Sequence, residues 1–566
     1  MKDKIDPLLW AEVQKDSLAE ALLVFRQQAE VVQGLYLPGK EAKGSYVFEK
    51  LRSQALQSQG SVMESLEKQN VPFRSLYIVN VIYLPKASAS LLESLAKREE
   101  IGEIVANSAL TAPNFQPESE DLRLRLGVEW GVAKIKAPEV WALGYTGQGV
   151  VIGGQDTGYD WKHPALIRKY RGWMRDSVAN HAYNWFDAIK SYSPQNPDTV
   201  NSCGLNAVSP CDDSQHGTHT MGTMVGDDGK GNQTGVAPGA LWIGCRNMER
   251  GIGSPFTYLE CFQWFLAPTT PDGKKPDPSL APDVINNSWY CPSIEGCNPS
   301  NIPLLEKAVQ NLRAAGVFVT VSAGNSGPNC ETINDTPASF PASFDVGATQ
   351  GNDTIARFSS RGPVFYNGAL FLKPDVVAPG VNVRSTAPGG GYANFSGTSM
   401  AGPHVAGAVA LMISANPRLR GEVLKLENLL KTTATPLYSK DTCGGIRGDS
   451  LPNPVYGYGR IDALAAVKAA REVVTDTQPG NASVSLRVFP NPASDLITLE
   501  TGTFQGAGQF SLWDASGRLH VTRSFQPGVE PFLSIRLPRL ASGVYFYRWK
   551  TGEQNYTGRI AIQPQE

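Results

Sequence analysis

Pro388–Asn416 reads PGGGYANFSGTSMAGPHVAGAVALMISAN. A glycine-rich turn runs straight into small and apolar residues that suit a buried helix, so Ser399 stands at a turn-to-helix junction. A helix start offers unpaired N–H groups and the positive end of the helix dipole, both of which favour a developing oxyanion. Pro403 is expected close enough to the helix start for its missing N–H to cost little. A serine so placed is a candidate nucleophile, but a hydroxyl is a weak one and needs a base to take its proton.

Two upstream stretches supply the base and its partner. HGTHTMGTMVG, from His216, reads as a tightly packed helix of small residues, with Gly217 expected to let the backbone approach the substrate. VVIGGQDTG, ending at Gly158, reads as a buried parallel strand that delivers Asp156 to the carboxyl edge of a sheet, where ligands gather in open α/β folds. Asp156 would hold one nitrogen of His216 and leave the other to take the Ser399 proton. GVFVTVSAGNSGP, from Gly316, is a β-branched strand ending in Asn325, a candidate donor to the oxyanion; loss of such a donor costs about 100- to 1,000-fold in turnover. The second donor would be the Ser399 N–H. LLEKAVQNLRAAG, just before that strand, is an amphipathic helix, and the helix–strand succession implies a parallel sheet. A single Asp in DTG is ordinarily a turn residue and a single Ser before a helix ordinarily a cap. Three extended contexts in the order Asp, His, Ser outweigh that plainer reading.

These stretches resemble the subtilisin (subtilase) family of serine endopeptidases, with FSSRGP from Phe358 and KPDVVAPGVNV from Lys373 adding to the likeness. NWFDA from Asn184, GVAPGALWIG from Gly235 and APDVINNSW from Ala281 are similar to the bacillopeptidase F-like members, and the resemblance runs from about Gly127 to Ala470. It implies an Asp156, His216, Ser399 triad, Asn325 as oxyanion residue and Thr398 as a supporting hydroxyl. It also implies that Ser288-Trp289-Tyr290 and Ser322-Ala323-Gly324 wall an extended polypeptide substrate. Tyr290 stands where family members often have Gly and would narrow that cleft. Asp335 is expected near the floor of the specificity pocket, favouring Arg or Lys at the cleaved position. The fold implied is α/β, a subtilisin-like parallel sheet flanked by helices.

The remaining chain is read as additional domains. Residues 1–117 form a small α/β region: a helix over SYVFEKLRSQALQSQGSVMESLEKQNV, a strand RSLYIVNVIYLP, a helix SASLLESLAKREE capped by Ser88 or Ser90, and a strand IGEIVANSAL. It resembles the subtilase propeptide, which acts as intramolecular chaperone and temporary inhibitor. A slow, non-local parallel sheet gains from such a template. The polar linker TAPNFQPESEDLR would be the self-cleavage region, and residues 118–470 the catalytic domain. Residues 471–485 read as a linker and 486–566 as a β-sandwich of alternating short strands. FPNPASD, WDASGR and LASGVYFYRW there resemble the sorting domain of type IX secretion substrates, with a carbohydrate- or protein-binding module as the alternative.

Bulk properties agree. The chain has 566 residues, 51 Lys plus Arg against 53 Asp plus Glu, and a net charge of −2, which favours neither nucleic acid nor an anionic membrane as partner. No apolar run approaches the ~20 residues of a membrane helix. The start, MKDKIDPLLWAEVQ, lacks the apolar segment of a signal peptide, so a leader is expected to be missing from this sequence. Eight cysteines without a zinc spacing point to disulfides in an oxidising compartment, with Cys203–Cys211 and Cys291–Cys297 as short local loops. His219 and His404 are expected to be packed rather than metal-bound. The chemistry needs no cofactor. Structural calcium is an expectation from the resemblance alone, with carboxylates available in DSVANHAYNWFDA and GDDGKGNQ. The expected whole is a secreted or cell-surface serine endopeptidase, made as a self-processed zymogen. Its partners would be polypeptide substrates, its own propeptide and an outer-membrane secretion machinery. The rival is a protease-fold surface protein that cuts only itself or serves as a binding module.

Overall fold

The computed structural model describes residues 2–107, 127–176, 178–193, 196, 201–292, 295–473, 487–489, 493, 496–500, 508–514, 516–525, 532–551 and 554–563. The expected cleavage linker at 111–123, most of the 471–485 linker and most of FPNPASD lie outside the described residues. The chain divides into two units, Met1–Val474 and Thr475–Glu566.

The first unit opens with a four-stranded antiparallel sheet. Its strands are β1 (Ala19–Phe25), β2 (Arg74–Leu76), β3 (Val81–Ala87) and β4 (Ile101–Ala106), in the order β2-β3-β1-β4. Helices α1 (Pro7–Asp16), α2 (Lys40–Lys68) and α3 (Ala89–Ala96) accompany it, and Ser88 caps α3 by accepting from Leu91 N. The central strand β1 was not expected from the sequence, and RSLYIVNVIYLP is two strands rather than one. The apolar letters of its middle conceal a turn. The N–H groups of Tyr77 and Ile78 donate to the Gln263 side-chain oxygen at 2.6 and 3.2 Å, and Asn311 Nδ2 donates to the Ile78 carbonyl at 2.7 Å.

A seven-stranded parallel sheet follows: β5 (Val151–Asp156), β6 (Trp185–Asp187), β7 (Leu241–Arg246), β8 (Val284–Asn287), β9 (Phe318–Ser322), β10 (Phe344–Thr349) and β11 (Val376–Pro379). The order is β11-β10-β9-β8-β5-β7-β6, and every pairing is parallel. Strands buried on both faces carry near-continuous apolar runs, as β9 (FVTVS) does. On one face lie α4 (His216–Val225), α7 (Thr398–Ala415) and α8 (Ala463–Glu472); α5 (Pro255–Leu266) and α6 (Ile302–Ala314) pack together with the N-terminal sheet. Helix α7 is long and apolar enough in composition to cross a membrane, but 83% of it is buried inside this unit, as a core helix would be.

The N-terminal sheet and α2 grip this body at both edges of the parallel sheet. At the amino edge Lys40 Nζ donates to the Ala281 carbonyl (2.6 Å) and Asp283 (3.0 Å), and the buried Lys43 donates to Gly421 O (2.9 Å) and pairs with Glu422 (3.2 Å). At the carboxyl edge Phe256 N, in the first turn of α5, donates to Asn107 Oδ1 (2.8 Å), and Asn301 Nδ2 donates to the Ala106 carbonyl (3.0 Å).

All eight cysteines are paired: Cys203–Cys211, Cys245–Cys261, Cys291–Cys297 and Cys330–Cys443. The second unit has two antiparallel sheets. One holds Arg487–Phe489, Leu496–Glu500 and Phe532–Arg536; the other holds Leu519–Phe525, Gly508–Trp513, Gly543–Thr551 and Gln554–Ile562. Ile497, Leu499, Phe510, Leu512, Ile535 and Ile560 fill its core. Leu519–Phe525 escaped the sequence reading because it is an edge strand whose polar letters (LHVTRSF) hide the alternation.

Candidate active site

Asp156 is the last residue of β5 and is buried, as its apolar strand requires. Its Oδ1 lies 2.7 Å from His216 Nδ1 and also accepts from Thr157 N at 2.8 Å, while Thr220 Oγ1 donates to Oδ2 at 3.4 Å. His216 opens α4, and the next residue must be Gly. A Cβ on Gly217 would stand 2.1 Å from the Gly158 carbonyl and 3.0 Å from Asp156 Cβ. The expectation that Gly217 makes room for substrate is therefore corrected: it makes room for the turn that carries Asp156. Burial disfavours a charged His216, but the charge and hydrogen bond of Asp156, aided by the charge of Asp212, more than offset that and hold its pKa above the ordinary value.

Ser399 is the second residue of α7, after Gly397 at the N-cap. Its Oγ donates to the Ser288 carbonyl at 3.2 Å rather than to His216. Pro403 is well inside the helix, not at its start. It lacks the N–H that would bond to the carbonyl four residues earlier, which is that of Ser399. Ser288 Oγ fills the place, donating to Ser399 O at 2.8 Å while accepting from Asn286 Nδ2 at 2.8 Å. Ser322 Oγ likewise donates to Thr398 O at 2.9 Å. The hydroxyls of the two expected wall serines thus hold the first turn of the nucleophile's helix.

Asn325 lies just beyond β9. Its Oδ1 accepts from Thr398 N at 2.9 Å and from Thr398 Oγ1 at 3.0 Å, which fixes the amide's orientation. A methyl group placed on Gly397 would lie 3.6 Å from both Asn325 Nδ2 and Ser399 N, so the two donors border one small space. Trp289 stacks flat on Tyr258, with centroids 3.9 Å apart and an interplanar angle of 2°; Tyr258 OH in turn donates to the buried Glu295. Cys291 N donates to the Thr336 carbonyl at 2.7 Å, which brings the Tyr290 and Asp335 segments side by side. Burial pushes the carboxyls of Asp335 and Glu295 up, Glu295 to about 8. Ala323 is buried and Gly324 N donates to Thr398 Oγ1 at 3.2 Å. Tyr258 and Glu295 were not read from the sequence; the position of Glu295 between Cys291 and Cys297 was the available signal.

His219 and His404 are packed, as expected. His219 Nε2 donates to Val383 O (3.0 Å) and Ala393 O (3.1 Å), and its ring stacks on Phe395; His404 Nδ1 bonds Met400 O at 2.8 Å. Burial pushes the two down, to about 3 and about 4. Two of the carboxylates in the stretches suggested for calcium already have partners within the protein. Asp187 is engaged by Arg246 and the N–H groups of Ile189 and Ala207, and Asp228 by Asn232 and Lys230 N.

Residues 147–459 match the subtilase family, and they hold the seven-stranded parallel sheet flanked by helices. The chain belongs to the subtilase family of subtilisin-like serine endopeptidases. It is 37% identical over 448 residues to bacillopeptidase F of Bacillus subtilis (strain 168), a match covering 76% of this chain and 29% of that protein. Subtilisin Savinase of Lederbergia lenta is 32% identical, over 60% of this chain and 99% of its own length. An alkaline protease of Alkalihalobacillus alcalophilus is 31% identical, over 62% and 73%. Residues 487–563 match the secretion system C-terminal sorting domain, which indicates secretion or cell-surface attachment.

Proposed function

We propose that the chain is a secreted serine endopeptidase that hydrolyses polypeptides through an acyl-enzyme and is made as a self-processed zymogen. The observation that carries this is the 2.7 Å contact of Asp156 with His216, together with a serine at the head of a helix whose N–H borders one space with the Asn325 amide. Asp156 holds the Nδ1–H tautomer and stabilises the imidazolium. His216 Nε2 takes the proton of Ser399 Oγ once that side chain turns from the Ser288 carbonyl, and Oγ attacks the scissile carbonyl. Asn325 Nδ2 and Ser399 N receive the oxyanion. His216 then protonates the leaving amine, and water, deprotonated by the same imidazole, releases the acyl group. Apart from substrate and water, every group in this scheme belongs to the protein.

The substrate lies as an extended strand between Ser288-Trp289-Tyr290 and Ser322-Ala323-Gly324. Asp335, beside Tyr290, sets a preference for Arg or Lys at the cleaved bond. The N-terminal sheet and α2 act as propeptide, and cleavage in the linker at 111–123 begins maturation. Replacing Ser399 with Ala tests the whole reading: propeptide removal, casein hydrolysis and fluorophosphonate labelling should all vanish. Casein cleavage by the Ala variant, or none by wild type, would overturn it. Comparing Arg, Lys, Leu and Phe peptides tests Asp335, and equal rates would remove that role.

A further inference from the structure

Asp212 lies four residues before His216 and one after Cys211, and five donors converge on its carboxylate. Oδ1 accepts from Thr157 Oγ1 (2.8 Å), Ser214 N (3.0 Å) and Gln215 N (3.0 Å). Oδ2 accepts from Thr218 N (2.9 Å) and Thr218 Oγ1 (2.6 Å). A helix cap would touch only its own helix; here one of the two hydroxyls belongs to the other element. Thr157 Oγ1 accepts from Gly217 N at 3.0 Å, so its single proton goes to Asp212. Thr218 Oγ1 accepts from Asp160 N at 2.9 Å, so its proton goes there as well. Two relays thus cross between the turn leaving β5 and the first turn of α4, in opposite directions, and both end on one side chain.

We propose that Asp212 is a positioning residue for the catalytic pair: its carboxylate clasps the turn that carries Asp156 to the helix start that carries His216. The inference rests on the function proposed above. The neighbouring backbone is braced to serve it. Tyr159 N donates to the Cys211 carbonyl at 3.1 Å, and Cys211 is tied back to Cys203. Asp213 accepts from the fully buried Arg246 at 2.7 Å, and Arg246 pairs in register with Asp156 across β7 and β5. An Asn at 212 would present an N–H to donors that have no other place for their protons, so it cannot substitute. The charge acts too. The titratable groups facing His216 are Asp156, Asp212 and His219. Those facing Asp212 are Asp213, Tyr159 and His216. Burial pushes Asp212 up, and its hydrogen bonds from Thr218, Ser214 and Thr157 pull it back.

The test uses the full chain with Asp212→Asn, Thr157→Val and Thr218→Val, and Ser399→Ala as the control for activity. Asp212→Asn is expected to lower kcat by about 10- to 100-fold, the scale of a displaced catalytic group, with KM within about twofold. The His216 titration, followed by NMR with histidine-selective labelling, should move to lower pH. Each Val variant removes one relay and should lower kcat by a smaller factor, about 2- to 10-fold. A folded Asp212→Asn protein with wild-type kcat and wild-type His216 titration overturns the proposal. If that variant does not fold, wild-type kcat in both Val variants overturns it. Wild type that fails to cleave casein would instead remove the proposed function, and the His216 titration alone would then decide the placement of Asp212.

Discussion

The orientation of the Asn325 amide rests on a contact that can be cut without touching the donor. Thr398 supplies both groups that hold Asn325 Oδ1, its N–H at 2.9 Å and its hydroxyl at 3.0 Å. Thr398→Val keeps the N–H and removes the hydroxyl. Asn325→Leu removes the donor itself and should cost about 100- to 1,000-fold in kcat, about 2.7–4 kcal/mol. One neutral hydrogen bond contributes about 1 kcal/mol, so losing the hydroxyl should loosen the amide and cost about fivefold in kcat with KM little changed. If the hydroxyl acts only through Asn325, Thr398→Val on the Asn325→Leu background should cost almost nothing, a coupling of about 1 kcal/mol. The Gly324 N–H that donates to the same hydroxyl at 3.2 Å loses its partner in both backgrounds, but only with Asn325 present is the bond to Oδ1 lost as well, so stability should fall more in that background. Initial rates on a soluble peptide for the four proteins give kcat and KM separately. A fivefold loss of the same size in both backgrounds would show that Thr398 acts on its own. An Asn325→Leu rate within tenfold of wild type would refute the oxyanion role.

Three further outcomes are expected. The acid limb of kcat/KM should lie above pH 6.5, since the base form of His216 is required and its pKa is raised; a pH–rate profile with an acid limb below that value would contradict the Asp156 contact. Ser288→Ala leaves the Ser399 carbonyl without the donor that Pro403 cannot supply, and should destabilise by about 0.5–1.5 kcal/mol in a denaturant titration. His219 and His404 are held neutral in the fold, so the unfolded chain binds more protons below their unfolded value. Stability is full above about pH 6.5 and should drain as pH falls toward about 4 and then about 3; thermal melts flat between pH 7 and 4 would contradict their burial.

The parallel sheet was legible because its strands carry β-branched runs that alternate with small-residue helices, and the candidate site because Asp156, His216 and Ser399 each sit at an element boundary with a glycine within two residues. What the letters hid were polar partners across long gaps. Nothing near Pro403 announces that Ser288, 111 residues from Ser399, supplies the missing donor. The turn at Tyr77–Asn80 is written in strand letters because its backbone bonds go to Gln263 and Asn311. Strand β1 escaped because AEALLVF has helix-forming letters, and its pairing with β3 and β4 overrides them. Asp212 was not singled out in DDSQ because its two threonine partners belong to different elements.

The twofold grip of the N-terminal region, Lys40 and Lys43 at one rim of the sheet and Asn107 at the other, has a consequence for the maturation proposed above. A cut in the backbone beyond Asn107 would break none of these contacts, because Asn107 and Ala106 stay with the N-terminal piece and keep their bonds to Phe256 and Asn301. Under the proposed maturation, scission and shedding would then be separate events with separate barriers: a nicked chain would keep its escort until both rims let go.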